Sequence, residues 1–194
     1  MKRSLITHLI LSSAMFMTVI LSCYVDPTAT TSTGSSQSGK CTYTDELTKN
    51  DLTWGIMDAV KDIYNQNVAF QSSIVNKTVN CPVGGTVKIT GTATSNSGST
   101  TVNLKYEMAG CKVMSVSSDK SLQTSLTMNG TINEKGFWNS TSKSLSYSAA
   151  PLSYAGTLTR TNCGTVTINE TCEVNISKTD SGTTGYLCGS AFTW

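Results

Sequence analysis

At 194 residues the chain is long enough for one domain with a core of its own. With 38% hydrophobic and 13% charged residues, and with Ser and Thr at about 30%, it is too apolar for a disordered tail and too sparsely charged for a coiled coil. Both units of the formal net charge of +2 trace to Lys2 and Arg3, and the balanced remainder carries no electrostatic footprint for nucleic acid or an acidic membrane surface.

The amino terminus reads as an export signal. Lys2 and Arg3 precede an apolar run from Leu5 to Leu21, interrupted by Thr7, His8, Ser12 and Ser13. That run is shorter than the ~20 apolar residues of a spanning helix and fits a secretory peptide with a small residue before the cut. Its end, Ile20-Leu21-Ser22-Cys23, resembles the bacterial lipobox, in which a diacylglycerol is added to the cysteine sulfur and cleavage follows just before it. An unlipidated secretory peptide would share the basic and apolar regions, but the cysteine at the expected cut favours a lipoprotein. The resemblance covers residues 1–23. It implies that residues 1–22 are removed and that Cys23 carries acyl chains, each buried CH2 contributing about 0.8 kcal/mol to a firm membrane anchor. Tyr24 after Cys23, where the enteric sorting pattern would have Asp for retention, implies the outer membrane. Residues 23–40 are polar and read as a flexible tether, which leaves 41–194 as the folded domain.

With Cys23 assigned to lipid, six cysteines remain: Cys41, Cys81, Cys111, Cys163, Cys172 and Cys188. An even number in an exported chain reads as three disulfides. Fifteen pairings exist; Cys81–Cys111 and Cys163–Cys188 would close hairpin-length loops, leaving Cys41–Cys172. Each closure contributes roughly 3–4 kcal/mol in the chain-entropy model. No pair has the C-x2-C spacing of a zinc knuckle, and the single histidine, His8, lies in the signal, so neither a metal nor another cofactor is expected.

From Asn50 to Asn67 the residues Leu52, Ile56, Val60, Ile63 and Tyr64 recur at helical spacing, with Asn50 or Asp51 at the start. Asp58 and Asp62, four apart, read as a solvated helix face rather than a catalytic carboxylate pair. Beyond Val75 the period falls to two. Val87 to Ala93, Val102 to Met108, Leu122 to Ile132, Leu152 to Leu158 and Cys172 to Ile176 each alternate apolar with polar residues. Ser95–Ser99, Glu134-Lys135-Gly136 and Thr179–Thr183 carry turn chemistry. The expected fold is therefore α+β and mainly antiparallel β: an N-terminal helix packed on a meander sheet or partial barrel of about eight strands. That architecture resembles bacterial lipoprotein carriers whose half-barrel holds lipid. The runs Cys81-Pro-Val-Gly-Gly-Thr-Val and Cys163-Gly-Thr-Val are similar to those of uncharacterised exported bacterial proteins, a likeness that implies no activity.

Much chemistry is excluded. A domain without histidine has no Ser-His-Asp triad, Cys-His dyad or His-ligated metal. Ser117-x-x-Lys120 and Ser140-x-x-Lys143 match the Ser-x-x-Lys pattern of penicillin-binding enzymes but fall in loop and strand, where that spacing separates the side chains. Threonine rows such as Thr90-Gly-Thr92-Ala-Thr94 suit the wet side of a strand, and the five Asn-x-Ser/Thr sequons, at Asn76, Asn129, Asn139, Asn169 and Asn175, follow from composition. Phe137 and Trp138 sit just past a turn, and Trp54 and Trp194 lie near element ends, where an aromatic can close the core or meet a protein or glycan partner. The expectation is a non-catalytic envelope lipoprotein, adhesin-like or structural. A carrier of lipid or another apolar ligand is the alternative, to be told apart by the space between helix and sheet.

Overall fold

A hydroxyl side chain followed by two acids is a strong helix start, and Thr44-Asp45-Glu46 provides one. In the computed structural model, which describes residues 41–69 and 73–194, helix α1 runs Asp45–Asn67. The Thr44 hydroxyl accepts the Leu47 amide at 3.1 Å, and Asp45 and Glu46 sit in the first turn, where the helix dipole favours negative charge. The helix thus begins before Asn50, the expected start. Leu47 is the only apolar residue between Asp45 and Asn50, so this part of the helix shows no 3.6-residue pattern. Asp51, expected at the cap, is buried inside the helix and paired with Arg160. The export signal, Cys23 and the tether of 23–40 lie outside the described residues.

Eight strands follow: β1 (Ile74–Asn80), β2 (Gly84–Asn96), β3 (Ser99–Val116), β4 (Leu122–Trp138), β5 (Lys143–Arg160), β6 (Gly164–Thr179), β7 (Gly182–Leu187) and β8 (Ser190–Thr193). They form one antiparallel meander in chain order, and β1 and β8 are its two edges, so the sheet stays open. The α+β reading of one helix on an eight-stranded sheet holds.

Two turn signals reverse the chain as expected, at Ser97-Gly98 and Asp180-Ser181. The third does not. Glu134-Lys135-Gly136 lies inside β4, and Gly136 serves a close approach instead: its φ is +137°, and a Cβ there would sit 1.9 Å from the Ser144 carbonyl oxygen of β5. The reversal comes at Asn139, whose Oδ1 accepts the amides of Thr141 at 2.8 Å and Ser142 at 2.7 Å, an Asx turn.

Alternation holds along each strand except at two bulges. The register slips between Met108 and Cys111 of β3 and between Ala149 and Leu152 of β5, which exchanges inward and outward positions. Tyr106 and Met108 therefore share the inner face with Cys111 and Val113, as Tyr147 and Ala149 do with Leu152 and Tyr154. Helix α1 crosses that face over β3, β4 and β5. Ile56, Val60 and Ile63 belong to one core with Val87, Ile89, Leu104, Met128, Ile132 and Ile176, all essentially fully buried. Each such aliphatic side chain contributes roughly 1.5–3 kcal/mol. At Gly55 the helix lies so near β4 that an added Cβ would be 2.9 Å from Thr124 Oγ1.

Three disulfides link Cys41–Cys163, Cys81–Cys111 and Cys172–Cys188. The Cys81–Cys111 expectation stands, whereas Cys163–Cys188 and Cys41–Cys172 are corrected. Register decides the matter. The pairing of Val174 with Leu187 brings Cys188 beside Cys172, and the Cys188 amide donates to the Glu173 carbonyl at 3.1 Å. Cys163 lies nine residues back along β6, on the order of 30 Å away. It sits in the turn after Arg160, at the end of the sheet where α1 begins, within reach of Cys41.

Candidate functional site

Positions 54, 57, 58, 61, 64 and 65 form one flank of α1, since residues three and four apart line up on a helix. This flank overhangs the sheet beside the β4–β5 hairpin. Between them opens a cleft of about 510 Å3, which the β6–β7 turn closes on its far side. Asp180 of that turn accepts the Lys143 amide at 3.1 Å and so fixes one hairpin against the other.

Aromatic side chains form part of the walls, beside the polar turn of residues 139–142. Trp54 and Trp138 are half-buried, and Tyr64 meets Trp138 edge-on with ring centroids 5.2 Å apart and planes at 84°. Met57 and Leu145 complete the apolar lining.

The floor is ionisable. Glu134 continues the inward parity of Met128 and Ile132 along β4 and is only 3% exposed. Its carboxylate accepts the Tyr106 hydroxyl at 2.7 Å, and the Tyr147 hydroxyl also hydrogen-bonds it. Burial raises the pKa of Glu134 above the usual carboxylate range, and the two phenol donors only partly oppose this. The same burial, with the carboxylate beside them, pushes both tyrosines far above the ordinary phenol value. No lysine or arginine pairs with Glu134 among the described residues.

The rim is basic. Lys61 and Lys143 are exposed and Lys178 is partly buried, facing Asp58 and Asp180. Lys61 reaches Asp58 at 3.9 Å, while neither Lys143 nor Lys178 has a carboxylate within ion-pair distance among the described residues. Burial, together with the charges of Lys143 and Lys61, lowers the pKa of Lys178. Asp58 and Asp62, expected on a solvated face, are both partly shielded, and Asp58 lies at the cleft mouth.

The remaining sequence candidates scatter. All six domain cysteines are spent on disulfides. Glu170, Cys172 and Cys188 form the one group with metal-ligand spacing among the described residues, but both sulfurs belong to the Cys172–Cys188 bond. Ser117, Lys120 and Ser140 lie in turns and Lys143 opens β5, so neither Ser-x-x-Lys pair shares a helix turn. Phe137 faces outward from β4, and Trp194 stacks on Phe192 at 5.4 Å, away from the cleft. Sequence reading placed Trp54 near an element end and Trp138 just past a turn without joining them, took Glu134 for turn chemistry and Lys143 for part of a Ser-x-x-Lys match, and did not single out Tyr106, Tyr147, Lys61 or Lys178. The available signal was Glu134 itself, a carboxylate at an inward position of an alternating strand.

Compared with family models, with curated proteins and with solved structures, the chain shows no significant match to any.

Proposed function

We propose that the protein is a lipid-anchored component of the bacterial cell envelope with a non-catalytic binding role. In this reading Cys23 carries the anchor, residues 23–40 hold the domain off the membrane, and the cleft between α1 and the β4–β5 hairpin takes the ligand. Three disulfides suit the oxidising compartment that such an address requires.

One observation carries the binding role. The space beneath α1 is filled with packed side chains, yet at its flank a cleft of about 510 Å3 combines aromatic side chains, a buried acid and two lysines, Lys143 and Lys178, without acidic partners among the described residues. A concave site with a few converging polar groups is the ordinary form of a small-ligand site. The alternative, carriage of lipid or another apolar ligand, gains from the cleft's volume. Its ionisable floor and basic rim count against it, because an acyl chain would leave those groups desolvated and unpaired.

Native mass spectrometry of the full-length protein, extracted from its own membranes in non-ionic detergent, tests the role. A copurifying small molecule lost on Trp138→Ala is the expected result. Hydrolytic turnover by the purified protein, or an empty cleft in every preparation, would overturn it. For the anchor, incorporation of labelled palmitate and accumulation of precursor under globomycin are expected, and the absence of both would overturn it.

A further inference from the structure

Among the described residues, the buried acid Glu134 has no basic partner, the lysines at the cleft rim are short of acidic ones, and Tyr64 and Trp138 line the same cleft. Those two imbalances are opposite in sign and at different depths. From that arrangement we infer that the cleft binds a compact zwitterion, its ammonium group held over Glu134 beside Tyr64 and Trp138, and its phosphate at Lys143 and Lys178. The inference rests on the binding role proposed above and names the ligand class of that site.

The alternatives each leave one half of the cleft unexplained. A simple anion would pair with the lysines but set its remainder against the Glu134 carboxylate. A fatty acid would do the same, with its apolar tail directed at a polar floor. A simple cation would satisfy Glu134 and find favourable ring faces, yet it would have to pass three lysines facing only two acids. A molecule carrying both charges a few bonds apart satisfies both groups at once. An ammonium, above all a quaternary one, is also what aromatic side chains beside a carboxylate recognise. The phosphate group suits Lys143 and Lys178 as point charges. Glu134 itself fits this account. Among the described residues only Tyr106 and Tyr147 donate to it, so an entering cation would supply the charge partner that the fold does not.

The chemistry has two sources, the head group of a phospholipid or a free phospho-zwitterion, and one titration separates them. The full-length protein in non-ionic detergent is titrated with phosphocholine, inorganic phosphate and tetramethylammonium, read by tryptophan fluorescence and calorimetry. Phosphocholine is expected to bind roughly tenfold or more tightly than either half alone. Glu134→Gln should weaken phosphocholine and tetramethylammonium roughly tenfold and leave phosphate unchanged. Lys178→Met should weaken phosphocholine and phosphate and leave tetramethylammonium unchanged. Trp138→Leu, at a half-buried wall position, repeats the test of the cation end should Glu134→Gln fold poorly. Displacement of bound phosphocholine by phosphatidylcholine vesicles supports the head-group source, and retention in their presence supports the free compound. Equal affinity for phosphate and phosphocholine, or no binding of phosphocholine, overturns the inference. Binding of decanoate in the same assay without phosphocholine would overturn it while leaving a binding role in place. An empty cleft by mass spectrometry strikes the role itself.

Discussion

Two acids buried in this fold are satisfied in opposite ways. Near the start of α1, Asp51 is held by two donors of one guanidinium, Arg160 Nε at 3.1 Å and Nη2 on the other oxygen. The same end is cross-linked by Cys41–Cys163. Along the C-terminal half of the helix, Glu134 meets phenol hydroxyls only among the described residues, and an open cleft with lysines it does not touch lies beside it. A charge neutralised within the fold serves the fold. A charge left un-neutralised next to an opening is available to a molecule from outside, and the free protein carries the cost of keeping it.

The comparison breaks most visibly at the stapled end. Cys41–Cys163 spans 122 residues, the longest loop of the three disulfides. Replacing both cysteines by serine should lower the unfolding free energy by roughly 4–5 kcal/mol, since loop-closure entropy grows with loop length. Urea unfolding of the paired variant measures this. The same replacement of Cys172 and Cys188, which close a loop of 16 residues, should cost less, about 3 kcal/mol. Equal losses would mean that the staple does not secure the start of α1 in the way argued.

Asp51→Asn comes next. The carboxylate is buried and Arg160 is about a third exposed, so the guanidinium left behind regains part of its hydration. A loss of roughly 2–3 kcal/mol is expected, below the full penalty for orphaning a buried charge. Thermal unfolding monitored by circular dichroism gives the value, and Arg160→Met should lose at least as much because it strands the more buried partner.

How far this contrast was legible in the sequence follows from the two bulges and one misread turn. Alternation in β3 up to Met108 and in β5 from Leu152 is plain, because each run lies within one register. Past Ala109-Gly110, and before Ala150-Pro151, the parity flips, and a period-two reading breaks off although the strand continues. Tyr147 lay hidden beyond one such break. Glu134 was obscured differently. Glu-Lys-Gly is ordinary turn chemistry, and only the approach of β5 to Gly136 shows why a glycine belongs in mid-strand. The arginine partner of Asp51 could not be read at all, since 109 residues separate the two and only the meander brings them together. Two of the three disulfide pairings failed for the same reason, Cys81–Cys111 being the one that stands: loop length ranks the options, but strand register selects among them.

The smallest expected effect on stability sharpens the contrast most, because it has the opposite sign. Burial holds the pKa of Glu134 above its value in the unfolded chain. The groups that face it are Tyr64, Tyr106 and Tyr147, with Lys61, Lys143, Lys178, Asp58 and Asp180 at the cleft mouth. Folding therefore shifts the equilibrium of Glu134 towards the protonated form relative to the unfolded chain. That contribution is complete below the unfolded carboxylate pKa and is lost as pH rises through the folded value, where the unfolded chain releases its proton more readily. Glu134→Gln keeps the shape and an acceptor for the tyrosine hydroxyls while removing the charge. It should therefore unfold at the same temperature as the parent near pH 4 and at a higher one near pH 8, whereas Asp51→Asn should lose stability throughout the neutral range. If Glu134→Gln instead lowers the unfolding temperature at pH 8, the carboxylate is stabilising the fold as Asp51 does. The distinction between a charge kept for the structure and one kept for a ligand would then be lost.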